Sequence, residues 1–94
     1  MDTINRIEIA FDPNKNAINT SKHGVALAEG ANLEWDEAVT WQDARRNYGE
    51  VRMCAIAYIG HRLYHVVYVD RACVRRIISL RKANLKEVKR YAET

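Results

Sequence analysis

Ninety-four residues, 48% of them hydrophobic, suffice for one core with little spare stability, so a single domain over residues 1–94 is expected. No stretch approaches the roughly 20 apolar residues of a membrane span, and positions 1–10 lack the basic start and apolar run of an export signal; the chain reads as cytoplasmic. The net charge of +3 hides a segregation, because residues 1–50 hold five Lys/Arg and nine Asp/Glu while residues 51–94 hold ten and three, and cations gathered on one half suit a polyanion, RNA first.

Residues 4–11 alternate as a first strand, with Ile7, Ile9 and Phe11 on one side. Asp12 then suits an N-cap and Pro13 the first helical position, where its missing N–H costs nothing. That helix is expected to end near Lys22 and His23, with Gly24 left-handed beyond it. A shorter helix is expected from residue 25 to about 32, weakened by Gly30. Residues 37–43 read as extended and 43–50, with Asn47 and Gly49, as a loop.

Three strands follow in quick succession, at residues 51–59, 63–69 and 74–82, with turns at 60–62 and 70–73. Connections this short force antiparallel neighbours. The run 63–69 is apolar at nearly every position, as befits a central strand covered on both faces. Cys54 and Cys73 both lie in strand-like segments and, without an export signal, are expected to be free buried thiols. A helix closes the chain from Asn84, its inward stripe Leu85, Val88, Tyr91 and Ala92, its wet face Lys86, Lys89 and Arg90. The expected class is α+β, an antiparallel sheet of about four strands with N-terminal helices and a C-terminal helix packed on it.

The blocks Phe11-Asp12-Pro13-Asn14-Lys15, Asn19, Lys22-His23-Gly24-Val25, Tyr48-Gly49-Glu50, Arg52 and Ile77-Ile78-Ser79-Leu80-Arg81-Lys82-Ala83-Asn84, then Glu87 and Tyr91, resemble the BrnT family of bacterial toxins, in order and over nearly the whole chain. The segment 26–47 is longer than the compact helix and loop of that family. The resemblance implies a RelE-like fold and a small ribonuclease that stops translation. It also implies a BrnA-like DNA-binding antitoxin as partner, and a toxin dimer within the joint complex.

Cutting RNA without a metal requires activation of the 2′-hydroxyl, stabilisation of charge on the phosphate and protonation of the leaving 5′-oxygen. Arg suits the middle task through its planar fork, and His or Glu the outer two. No carboxylate cluster, Cys/His ligand spacing, Gly-rich phosphate loop or nucleophile elbow is present, so neither a metal nor a cofactor is expected. Arg81 is the leading phosphate ligand: alternation sets Arg75, Ile77, Ser79 and Arg81 on one face and Val74, Ile78 and Leu80 on the other. Arg52, on a neighbouring strand, can reach the same face or pair with Glu50 or Asp70. His23 has the right titration range, although a His beside Gly24 is equally an ordinary helix end. Glu87, three residues after Asn84, is explained by reciprocal capping; a general-base role for it is implied by the resemblance alone. Lys22, Lys82, Lys86, Lys89 and Arg90 would add sequence-independent attraction to RNA. His61 and His65 read as solvated or structural, and Trp35 and Trp41 as core. A non-catalytic RNA- or ribosome-binding module, or a co-repressor partner of a DNA-binding protein, fits charge and composition equally well.

Overall fold

The computed structural model describes residues 7–94, so positions 4–6 of the expected first strand lie outside the described residues. In chain order the elements are β1 (Glu8–Ala10), α1 (Pro13–His23), two 3₁₀ turns (Leu27–Asn32 and Trp35–Glu37), β2 (Val39–Gln42), β3 (Met53–Ile59), β4 (Arg62–Arg71), β5 (Val74–Lys82) and α2 (Leu85–Ala92). The class is α+β, and among the described residues the sheet has five strands in the order β1-β5-β4-β3-β2. It is mixed rather than purely antiparallel, because β1 runs parallel to β5.

The local signals account for the element ends. The Asp12 carboxylate accepts from the Asn14 N–H at 2.8 Å, and Gly24, at φ 74°, sends its N–H back to the Thr20 carbonyl. The segment after Gly24 winds as 3₁₀ instead of α. Gly30 is the physical reason that segment hugs the sheet: a Cβ there would stand 2.9 Å from Ile77 Cγ1, so only a bare backbone fits.

Pairing register decides which residues share a face. On β4, His65, Val67 and Val69 lie opposite Arg81, Ser79 and Arg76, whereas Val66 and Tyr68 lie opposite Leu80 and Ile77. The partner of Val67 is Ser79 and that of Tyr68 is Ile77, which leaves Ile78 as an extra, bulged residue. The bulge corrects the expected alternation of β5. Arg75 and Ile77 belong to the face of Leu80, and Arg81 and Ser79 to the opposite one.

The core sits on the face of Leu80, where Leu27 of the first 3₁₀ turn and Leu33 just beyond it pack on Ala55, Val66, Ile77 and Leu80. Each fully buried Leu, Ile or Val among them contributes on the order of 1.5–3 kcal/mol. Trp35 meets Tyr68 edge-on at 5.1 Å and donates its Nε1–H to the Gly30 carbonyl. Asn19 completes the attachment of α1. Its buried amide bonds the Leu80 carbonyl at 2.8 Å and the Leu80 N–H at 3.2 Å, and also reaches the Val25 carbonyl. One side chain thereby pairs β5 where β1 has run out; a buried polar group left unpaired there would cost about 1–3 kcal/mol.

The closing helix crosses the opposite face with a different side inward than its apolar pattern suggests. Leu85 and Val88 are exposed, while Glu87 and Tyr91 turn toward the sheet, where Tyr91 packs edge-on against Tyr58. A capping box at Asn84 and Glu87 fixes its start. Both cysteines are free, but only Cys54 is buried; Cys73 lies exposed in the tight turn between β4 and β5, not in a strand interior as expected. Among the described residues, no helix is long and apolar enough to cross a membrane.

Candidate active site

Three elements converge on the face that carries α2. Arg81 and His65 are cross-strand partners on β5 and β4, and Glu87 descends on them from the first turn of α2. The Arg81 fork donates Nη1–H to Glu87 Oε1 at 2.9 Å and Nη2–H to Oε2 at 2.8 Å. Glu87 Oε1 also takes the Asn84 N–H, so the residue that caps the helix also orients the arginine. His65 Nε2 stands 3.8 Å from Glu87 Oε2. Side-chain exposure is 10% for His65, 14% for Glu87 and 33% for Arg81, which makes Arg81 the member that solvent or a ligand meets.

The electrostatics follow from that packing. Burial raises the Glu87 carboxyl, but the hydrogen bonds from Arg81 and the Asn84 N–H outweigh it and hold the group below the usual range. Burial pushes the His65 imidazole below its ordinary value, against the opposing pull of Glu87. Ionised Glu87 therefore sits beside neutral His65 at pH 7. His65 Nδ1 is buried without a hydrogen-bond partner among the described residues.

The trio opens into a groove of about 430 Å³, whose walls include Trp41, Asp43, Arg45 and Cys54. Asp43 is buried. It accepts from Arg45 Nε at 2.8 Å, Arg45 Nη2 at 2.9 Å and the Tyr48 hydroxyl at 3.1 Å. The Arg45 bonds hold its carboxyl far below the normal range, while the Arg45 side chain remains 78% exposed. At the other rim Arg90 lies 3.8 Å over the Trp41 ring, and Trp41 in turn tilts against His65 at 5.8 Å. Burial, aided by Asp43, raises the Cys54 thiol, so it stays protonated and is a poor nucleophile.

Of the residues singled out from sequence, Arg81 and Glu87 meet in this groove and Arg90 stands at its edge. Arg52 shares the face but lies near its other end, with its guanidinium 4.2 Å over the Tyr48 ring and its Nε 3.6 Å from Glu50. His23 and Lys22 line a separate hollow of about 260 Å³ beside Ser79. Lys82 falls opposite Tyr64 on the face away from Arg81, and Lys86 and Lys89 are exposed along α2. The sequence reading set His65 aside as solvated or structural and gave no role to Asp43 or Arg45. The available signal was His65 itself, a polar group amid Leu63, Tyr64, Val66 and Val67 in a strand expected to be buried, where burial is costly without a polar partner and so calls for one nearby. Among the described residues, no set of three His, Cys, Asp or Glu is placed to hold a metal ion.

Two comparisons bear on this geometry. The family model described as "Ribonuclease toxin, BrnT, of type II toxin-antitoxin system" matches residues 11–87. The crystal structure of the Brucella abortus ribonuclease toxin BrnT superimposes with a TM-score of 0.63 at 23% identity, over 83% of this chain and 97% of that one, a likeness of fold. No curated protein matches the chain.

Proposed function

From the premise that the chain belongs to the BrnT family of ribonuclease toxins of type II toxin–antitoxin systems, we propose that it cleaves RNA in the groove at Arg81, by acid–base chemistry that needs no metal. Family membership makes RNA the target and an antitoxin the partner. The observation that carries the finer reading is the juxtaposition of a partly exposed Arg81 with neutral His65 and ionised Glu87 in one groove.

Roles follow from chemistry. Arg81, moving from Glu87 onto the incoming strand, grips the scissile phosphate, and Arg45 across the groove supports the developing charge. Neutral His65 takes the proton of the 2′-hydroxyl, and Glu87 at 3.8 Å stabilises the imidazolium that results. The 2′-oxygen then bonds the phosphorus as a 2′,3′-cyclic phosphate while the P–O5′ bond breaks, and a water admitted by the open groove relays the His65 proton to the departing 5′-oxygen. Lys86, Lys89 and Arg90 on α2 draw the polyanion in, and Lys22, beside His23 and Ser79, extends that attraction. Arg52 supports the same face from Glu50. Cleavage of this kind would halt translation in the cytoplasm, the whole of residues 1–94 acting as one toxin domain. The neutralising partner would be a BrnA-like, DNA-binding antitoxin whose acidic segment covers the basic groove, with two toxins in the complex.

The test is incubation of the purified chain with labelled RNA in EDTA beside Arg81→Ala, His65→Ala and His23→Ala. Cleavage is expected to survive the chelator, to fall about 100-fold or more in the first two variants and to change little in the third. Intact RNA retained in a gel shift would replace this reading with a non-catalytic binding module, and loss in His23→Ala alone would move the proton carrier to the other hollow.

A further inference from the structure

The end of the sheet away from α2 carries another hollow on the same face as Arg81. Register sets Val69, Arg71, Val74 and Arg76 together with Ala10 of β1, and with Ala72 they enclose about 360 Å³. The floor is apolar and the rim is two guanidiniums. Arg76 Nη2 lies 3.2 Å from Glu50 Oε1, Arg71 Nη2 3.7 Å from the same atom, and Arg52 Nε 3.6 Å from Glu50 Oε2. One carboxylate thus serves three cations, leaving the cluster two positive charges in excess among the described residues. The Arg71 and Arg76 side chains are 76% and 44% exposed, and a guanidinium carries five N–H donors, so most of theirs have no partner among the described residues.

An apolar floor beside surplus guanidinium donors complements a nucleotide: a base has an apolar π-face and its phosphate accepts a bidentate fork. Val69 follows His65 by four residues along β4, about 13 Å at roughly 3.3 Å per residue, a span that a few nucleotides of single strand bridge.

We propose that this hollow is a second RNA subsite, in which a nucleotide remote from the scissile bond lays its base on Ala10, Val69 and Val74 while Arg71 and Arg76 clasp its phosphate. The assignment rests on the reading of the Arg81 groove as the cleavage site, and it makes the enzyme prefer strands long enough to reach both ends of the face.

The experiment compares cleavage of a dinucleotide and an octanucleotide by wild type, Arg71→Gln and the double variant Arg71→Gln/Arg76→Gln. The octamer-over-dinucleotide preference in kcat/KM is expected to narrow about threefold in the single and about tenfold in the double variant; an unchanged preference overturns the proposal. Arg71→Gln alters a largely exposed side chain and guards against a folding defect in the pair. Should wild type cut neither substrate, the cleavage reading falls by itself, and the subsite is judged by equilibrium binding of the octamer: weaker binding by the double variant supports it, equal binding overturns it. A variant that loses a Glu-rich peptide but keeps the octamer also overturns it, in favour of a protein-docking surface.

Discussion

At the residue scale, His65 is the most consequential position. An imidazole pushed below its ordinary value stays neutral at lower pH than a free histidine, so the acid limb of the cleavage profile is expected below about 6.5. The same shift enters stability with a definite sign. Because the folded value is depressed, the unfolded chain binds the extra proton first; the contribution is complete above about pH 6.5 and is lost as pH falls through the folded value. Glu87 and Asp43, both lowered, add a second loss that begins near the unfolded carboxylate range, about pH 4, and deepens below it. Urea midpoints from pH 3 to 8 check both windows. His65→Gln is expected to flatten the upper one and Asp43→Asn the lower, and an unaltered upper window in His65→Gln would show that another group titrates there.

At the element scale, α2 joins the fold to the chemistry. The helix is only eight residues long with two apolar side chains exposed, so its start depends on the reciprocal bonds between Asn84 and Glu87 at 2.9 Å each. Asn84→Ala is expected to cost about 1 kcal/mol, a fall of roughly 4–8 °C in Tm for a domain of this size. The loss extends further, because the substitution removes the Asn84 Oδ1 that holds the Glu87 N–H, and a frayed first turn loosens the carboxylate that Arg81 grips. Cleavage should therefore decline in Asn84→Ala at temperatures where the protein remains folded, which a calorimetric trace paired with an initial-rate assay would reveal. An unchanged rate would mean that Arg81 and not α2 holds the carboxylate in place.

At the scale of the whole molecule, the acidic first half does not stand apart from the basic second. Glu50 reaches Arg52, Arg71 and Arg76, and Tyr91 of the last helix donates its hydroxyl hydrogen to the Glu37 carbonyl. Among the described residues, a run of cations from Arg90 and Arg81 to Arg71 and Arg76 lies along one face of the sheet. RNA binding to such a face is expected to weaken steeply with salt, log K falling by about 0.7 per decade of salt for each phosphate contacted on a single strand. A titration between 50 and 300 mM salt measures it, and a slope near zero would deny the face its electrostatic role.

Much of this was legible from neighbouring residues. Asp12-Pro13 and Gly24 bracket α1, the β5 bounds at Val74 and Lys82 follow from short turns, Asn84 opens α2, and the family resemblance carried Arg81 and Glu87 together. These signals are local, because a cap, a turn or a strand run is decided by contacts a few residues apart. The faces were not legible. A single bulged residue, Ile78, reverses Arg75 and Ile77 relative to Arg81, and a bulge is set by which strand lies alongside. His65 joins the site because β4 pairs with β5, and His23 stands apart because α1 is pinned by Asn19 to the edge of β5. The sequence by itself determined the elements, the family and the charge that calls for RNA; the tertiary structure alone decided which side chains share a groove, since side-chain company depends on register and packing between segments distant in the chain.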